Sequence, residues 1–316
     1  MRSVLLTIMA MFIVAPLYAA DIEFDKAIDA KTPERLQIRL DRLSDIGVIP
    51  YKVDKKALNT KARGTFERSP AAKDVRAKKM SERENEKAIT FLAGSVQYEF
   101  SKTTGAEILM DLDQYTHSAK LARPVKEGDL RARAKKYIQT YMPDVDQREV
   151  SFAGIKKIMN SVGKLSNEGK DATDIATEVA NYIAIFERKI NNVPVIGAGE
   201  KIRVYMSSNG DIIGHSKVWR TLEREQKGPK PAVSSDKIKD KFREKHSKDL
   251  VQSIKVDSLY FGYFAHGRYR AQDVLRPVYM IGYTSGPESK RVFEMYDAYT
   301  GEEIREERHV DEGDKR

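Results

Sequence analysis

The chain has 316 residues, five histidines (His117, His215, His246, His266 and His309) and no cysteine. Without thiols there is no cysteine nucleophile, no disulfide and no cysteine-held zinc. No two histidines stand four apart, so the His-Glu-x-x-His helix that presents two imidazoles to zinc is absent. Gly-x-Ser-x-Gly is absent too, and no glycine loop leads into a helix as a phosphate cradle requires. Gly197-Ala198-Gly199 lies between two strand-like runs and reads as a turn or bulge. Asp111 and Asp113 share a strand face, but no third ligand stands near them. His215 precedes Trp219, the sole tryptophan, by four residues. The pair reads either as part of a recognition face or as an exposed imidazole beside a core-edge indole. Tyr260 and Phe264 alternate with Phe261 and Tyr263, so part of that aromatic group is core and the remainder is free for a partner. No catalytic residues, no metal and no cofactor are expected.

The elements that would position these side chains centre on residues 182–219, YIAIFERKINNVPVIGAGEKIRVYMSSNGDIIGHSKVW. The stretch reads as three antiparallel strands. The first, 182–190, sets Ile183 and Ile185 against charged Glu187 and Lys189 and turns at Asn191-Asn192. The second, 201–206, points Ile202, Val204 and Met206 one way and Lys201, Arg203 and Tyr205 the other. Ser208-Asn209-Gly210-Asp211 then predicts a type I′ turn, because Asn-Gly tolerates positive φ, and a third strand starts at Ile212. Val193-Pro194-Val195 reads as an unpaired sheet edge. Such an edge suits an added partner strand, and Pro there equally suits a device against pairing.

Upstream, Val96, Tyr98 and Phe100 alternate with polar neighbours, Lys102-Thr103-Thr104-Gly105 turns, and Ile108, Met110 and Leu112 return as a hairpin over 89–113. A helix is predicted over 127–142, with Leu130, Ala134, Tyr137, Ile138 and Tyr141 on one side and Pro143 after it. Residues 150–162 read as a strand and 160–174 as an exposed polar loop. Downstream, Ser234-Ser235-Asp236 caps a helix ending near His246, and strands follow at 255–264, 276–283 and 292–296. Near the N-terminus, Thr32-Pro33 opens a helix with Leu36, Leu40 and Leu43 on one stripe.

In the order of an aromatic strand, Asn-Asn-Val-Pro-Val, a small-residue break, an amphipathic strand and an Asn-Gly-Asp turn, residues 182–219 resemble the fungalysin/thermolysin propeptide domain. The Thr-Gly hairpin before the first helix is similar to that of its exported relatives. The sequence LRPVYMIGYTSGPESKRVFEMYDAYTGEEI, residues 275–304, resembles the PepSY domain through its strand–hairpin–strand closed by Asp-Ala-x-Thr-Gly. Together they cover roughly the last two-thirds of the chain. The fold this implies is α+β, with two cystatin-like helix-plus-antiparallel-sheet modules in tandem after an N-terminal helix and a basic linker. The expected boundaries are a signal at 1–20, a helical segment at 21–50, a basic linker at 51–87, a propeptide-like domain at 88–222, a linker at 223–233, a PepSY-like domain at 234–305 and a charged tail at 306–316.

Residues 1–20 fit a secretory leader, with Arg2 before an apolar run and Ala19-Ala20 at its end; cleavage and retention as an anchor both remain open. The formal net charge is +9. In an exported protein such an excess points to an acidic partner or an anionic envelope polymer, not nucleic acid. Membrane contact is expected only if the leader is retained. The basic stretch reads as a solvated arm or as a polybasic contact. The resemblance implies a stand-alone, non-catalytic module, periplasmic or secreted, that binds and inhibits or chaperones a separate metalloprotease. The alternative is an envelope scaffold or sensor that binds anionic polymer or lipid through the arm. Candidate protein-binding residues are Asn192, Val193, Pro194, Tyr205 and Trp219, together with His309 and Val310, which by analogy approach a partner's cleft.

Overall fold

The computed structural model describes residues 21–24, 47–52, 64, 66–67, 81–116, 124–165, 172–223, 225–226, 232–247, 253–285 and 291–304. The predicted leader, the Thr32-Pro33 helix, most of the basic stretch, His117 and the tail with His309 and Val310 lie outside them. No helix among the described residues is long and apolar enough to cross a membrane.

Period-two alternation organises the centre. Strand β8 (Ala172–Ile190) pairs with β10 (Lys201–Ser207), which pairs with β11 (Ile212–Val218). Ile202, Val204 and Met206 are fully buried, as their spacing requires. On β8 the buried row is Tyr182, Ala184, Phe186, Arg188 and Ile190, not the row of Ile183 and Ile185. The register explains this: Phe186 stands opposite Ile202, Ala184 opposite Val204 and Tyr182 opposite Met206, and facing residues share one side of the sheet. The Asn-Gly turn differs as well. Gly210 is left-handed (φ 78°) and Asn209 is not. Gly210 N donates to Ser207 O (2.9 Å) and Ser207 N to Asp211 O (2.9 Å), a three-residue loop with its bulge at glycine, not type I′. The two consecutive positive φ angles occur instead at Asn191 (51°) and Asn192 (67°).

The sheet extends both ways from this centre. On one side β6 (Glu107–Asp111), β5 (Val96–Ser101), β4 (Ala88–Ala93) and β3 (Ser81–Glu84) follow β11. On the other, β9 (Val193–Gly197) joins β8 to β12 (Ser253–Ala265), then β13 (Val274–Ser285), β14 (Val292–Asp297) and β15 (Glu303–Ile304). Strand β7 (Val150–Leu165) pairs β8, β1 (Asp21–Phe24) runs parallel to β12, and β2 (Ile49–Pro50) pairs β13. Of the stretch read as a polar loop over 160–174, residues 160–165 and 172–174 lie instead in the paired strands β7 and β8.

The helices are α1 (Leu112–Thr116), α2 (Glu127–Tyr141) and α3 (Ser235–His246). Helix α2 buries Leu130, Ala134, Tyr137 and Ile138 against β8, β10 and Trp219. Helix α3, capped by Ser234 accepting from Lys237 N (3.3 Å), buries Ile238, Phe242 and His246 against the β12–β14 side. A third cluster has no long helix. There Phe66, from the supposed linker, stacks on Phe91 with ring centres 5.3 Å apart. On β6 the buried residues are Glu107 and Leu109, with Ile108 and Met110 half-buried, while Leu112 is exposed at the start of α1. Asp113 lies on α1 and not on a strand with Asp111.

Two separate cystatin-like modules in tandem are thus not what the chain forms. One mixed sheet of fifteen strands carries three short helices among the described residues. The residues that overturn the tandem arrangement are those read as an open edge. Val193 and Pro194 pair with β8, while Val195, Ile196 and Gly197 pair in parallel with β12. The sheet therefore continues where a break was expected.

At this junction backbone comes very close to backbone. Gly199 N donates to Ala265 O (3.1 Å), and a Cβ on Gly199 would lie 2.1 Å from His266 O. Gly199→Ala is expected to destabilise the protein by about 1–3 kcal/mol in urea unfolding, as overpacked sites do. An unchanged midpoint would show that the junction yields easily.

Candidate functional site

The site builds outward from Glu200. It follows Gly199 in the turn between β9 and β10, in the left-handed region (φ 51°), where a non-glycine side chain is strained. The strain is tolerated because the carboxylate, fully buried, has four donors. Arg188 Nη1 (2.8 Å), Arg220 N (3.2 Å), Arg220 Nη1 (3.4 Å) and Tyr51 Oη (3.2 Å) all reach it. Arg188 stands on the inward row of β8, donates from Nε to Glu149 (2.7 Å) and from Nη1 to Arg220 O (2.7 Å), and lies 4.9 Å from the Trp219 ring centre. Arg220 follows β11 and reaches across the sheet junction. Its Nη2 donates to His266 O (2.9 Å) and Gly267 O (3.0 Å), and its guanidinium covers the Tyr51 ring at 4.9 Å. Its Nε is buried with no acceptor. Burial pushes the Glu200 carboxyl up, against the downward pull of Arg188 and Arg220. Burial, with Glu200 beside it, also pushes the Tyr51 hydroxyl up.

A cleft of about 370 Å³ opens beside this cluster. Five carboxylates line it, from Asp144, Asp146, Glu149, Glu223 and Glu225, together with the two guanidiniums of Arg188 and Arg220. Ile190 and Trp219 add apolar surface. Most of the acids are held. Arg188 holds Glu149, Arg148 holds Asp146 (2.7 Å), Lys217 holds Asp144 (3.0 Å), and Glu225 accepts from Gly47 N (2.8 Å) and Tyr263 Oη (3.1 Å).

Through Asp144 the cleft adjoins a second buried network. Lys217, only 2% exposed, lies 2.6 Å from Glu107 Oε1, and Tyr98 donates to Glu107 Oε2 (2.8 Å). His215 Nε2 faces the same carboxylate at 3.6 Å, and its Nδ1 meets Tyr137 Oη at 2.9 Å. Burial alone raises the Glu107 carboxyl, but Lys217 and His215 more than reverse this and hold it well below the ordinary carboxylate range.

Of the residues singled out as protein-binding, Val193, Pro194 and Trp219 are buried, Tyr205 is half-buried beside Tyr115, and Asn192 is exposed at its turn. They do not form one surface. His215 and Trp219 are both buried, so the imidazole is not exposed, and only the Trp219 ring borders the cleft. Sequence reasoning missed Arg188, Glu200, Lys217 and Arg220. A signal existed: Arg188 shares the parity of Tyr182, Ala184 and Phe186, and a charge on an apolar row marks a buried pair.

No protein-family model matches the chain, so neither family named above does. No curated protein matches it either. Among solved structures, an uncharacterized protein from Eubacterium rectale ATCC 33656 is similar over 83% of this chain and 86% of that one, at 12% identity and a TM-score of 0.50. That likeness shows the fold alone. The Bacillus megaterium YpeB C-terminal domain overlaps 81% of this chain and 97% of that one at 12% identity, with a TM-score of 0.35, which carries no argument.

Two outcomes follow from these networks. Glu200→Ala leaves the buried guanidinium of Arg220 without its anion and Arg188 with Glu149 alone, and is expected to cost about 3–5 kcal/mol in chemical unfolding. Glu107 has a depressed folded-state pKa, so its contribution is complete above the unfolded carboxylate value of about 4.3 and is lost as pH falls below it. The stability of the wild-type chain should therefore decline below about pH 4. Glu107→Gln should be less stable at pH 7 and should flatten that decline, as read by urea midpoints between pH 3 and 7.

Proposed function

We propose that the chain is an exported, non-catalytic binding protein, and that its partner is a separate exported protein of the metalloprotease class. The observation that carries this reading is the cleft beside Glu200. Its charged lining is tied into ion pairs that hold strands together, which suits a rigid recognition surface better than a nucleophile awaiting its base. The propeptide-like and PepSY-like motifs give the partner class.

One of those motifs has a clear local form. At Asp297-Ala298-Tyr299-Thr300-Gly301 the Asp297 carboxylate accepts from Tyr299 N (2.8 Å) and Thr300 N (3.0 Å), and Gly301 is left-handed (φ 67°). This turn returns the chain from β14 to β15, with Gly301 N donating to Asp297 O (2.7 Å). The aspartate and the glycine of the motif thereby have a physical reason, which supports the PepSY-like comparison for this stretch.

The test is affinity capture with the chain expressed with its own leader, from envelope and culture-supernatant fractions, followed by a metalloprotease assay of what is recovered. The expected result is a stoichiometric protease whose activity is suppressed in the complex. Recovery of anionic polymer or lipid alone, released by salt, would overturn the proposal in favour of an envelope-binding role.

A further inference from the structure

Resting on the binding-protein reading above, we infer that the face of the central sheet opposite α2 docks an acidic amphipathic helix of the partner, with Arg203 meeting its carboxylates. Three observations lead there. First, this face is apolar where water would favour polar residues. Helix α2 covers Tyr182, Ala184 and Phe186 of β8 and Ile202, Val204 and Met206 of β10. The register sets their neighbours on the other side in two cross-strand rows. One runs Ile183, Tyr205, Gly214, Met110; the other runs Ile185, Arg203, Ser216, Ile108. An antiparallel sheet that turns one face to solvent alternates to polar residues there. Here Ile183, Ile185, Ile108, Met110 and Tyr205 stand on that face, each half-buried. The isoleucine alternation on β8, which the core does not use, and Tyr205 thus belong to one surface.

Second, the charge of this face is one-sided. Lys201 pairs with Glu187 (2.8 Å), and Arg268, from the loop after β12, pairs with Glu99 (3.2 Å). Once these cancel, the charges left on the face are Arg83 on β3, Lys156 on β7, Lys189 on β8 and Arg203 on β10. All are cations, and none has a carboxylate partner among the described residues. Arg203 is the telling one. It is half-buried, between Ile185 and Ser216 in the middle of an apolar row. A guanidinium partly withdrawn from water with no acceptor is costly, and an incoming carboxylate relieves that cost. Being only half-buried, Arg203 is open to one.

Third, size and charge select the occupant. The two rows lie about 7 Å apart and extend about 14 Å from β8 to β6. One helix, about 10–12 Å across with its side chains, covers such an area, as α2 does on the opposite side. A second copy of the chain would bring the same cations to the contact and be repelled. The chain's own segments outside the described residues do not offer the complement either. Residues 52–80 are basic, 33–46 carry as many bases as acids, and 306–316 have Val310 as their sole large apolar residue. The complement is a foreign helix with an apolar stripe flanked by carboxylates.

The test is fluorescence anisotropy of the full chain, expressed with its own leader, against a labelled peptide of three Leu-Glu-Gln-Leu-Leu-Glu-Gln repeats. The control peptide has Lys in place of Glu. Saturable binding of the acidic peptide alone is expected. Arg203→Glu should weaken it about tenfold, the loss of one charge-assisted contact. Lys156→Glu, at an exposed position, should weaken it about threefold. Lys136→Glu makes the same change in net charge on the exposed side of α2 and should leave binding unaltered. Equal binding of the two peptides, no saturable binding, or Arg203→Glu and Lys156→Glu both behaving as Lys136→Glu would overturn the inference. Binding to phosphatidylglycerol vesicles that depends on Arg203, with none to the acidic peptide, would also overturn it and make the face a lipid contact. The two readings fail separately. A protease captured equally by wild type, Arg203→Glu and Lys156→Glu removes this inference and leaves the binding-protein reading. Acidic-peptide binding with the expected pattern of variants, but no exported protein recovered, removes the binding-protein reading and leaves this surface.

Discussion

The carboxylate of Glu200 is the constraint on which the rest of the structure depends. A buried charge must be paired and hydrogen-bonded, and here the partners come from distant parts of the chain. Arg188 comes from the long strand β8, Arg220 from the end of β11, Tyr51 from the stretch after β2, and through Arg220 the backbone of the loop after β12. A buried ion triad of this kind adds little net stability over an apolar core. Its effect is on geometry: an alternative register on β8 or β10 would strand a charge, so one arrangement of the junction remains. The cleft inherits this rigidity, because Arg188 and Arg220 form part of its wall.

The same device recurs. Glu107 gathers Tyr98, Lys217 and His215, and Glu294 gathers Tyr283 (2.8 Å), Tyr296 (2.7 Å), His246 (3.0 Å) and Lys245 (3.0 Å). Burial alone would raise the Glu294 carboxyl, but its tyrosine and lysine donors and His246 hold it below the ordinary value. Through Glu294 helix α3 is fixed to β13 and β14, and through Glu107 helix α2 is linked to β5, β6 and β11. A chain without cysteine has no covalent staples. Buried carboxylates ringed by tyrosine, histidine, lysine and arginine take over the positional part of that task.

Local pattern made much of the fold legible. The alternation of Ile202, Val204 and Met206, the apolar stripe of Leu130, Ala134, Tyr137 and Ile138, and the Ser234 cap each appear where the sequence places them. What escaped was set by distant contacts. Val193-Pro194-Val195 looks like an edge because only its pairing with the end of β8 is local; the strand that closes its other side, β12 from Tyr263 to Ala265, is remote in sequence. Ile183 and Ile185 look like core until the register with β10 assigns that side to Phe186 and Ala184. Glu107 breaks the apolar reading of β6 because its partner Lys217 lies on β11. Phe66 looks isolated in a basic stretch until Phe91 and Tyr98 are brought beneath it. The site was hidden for the same reason, since its charges occupy apolar rows and declare themselves only in pairs.

The central claim is that the α2-covered and α3-covered parts of the sheet form one structure, joined through β9 and the Glu200 cluster. Differential scanning calorimetry tests it most directly. The account predicts one transition for the wild-type chain, with calorimetric and van't Hoff enthalpies in agreement. Two separable transitions, with Glu200→Ala altering neither, would contradict it and return the chain to independent modules.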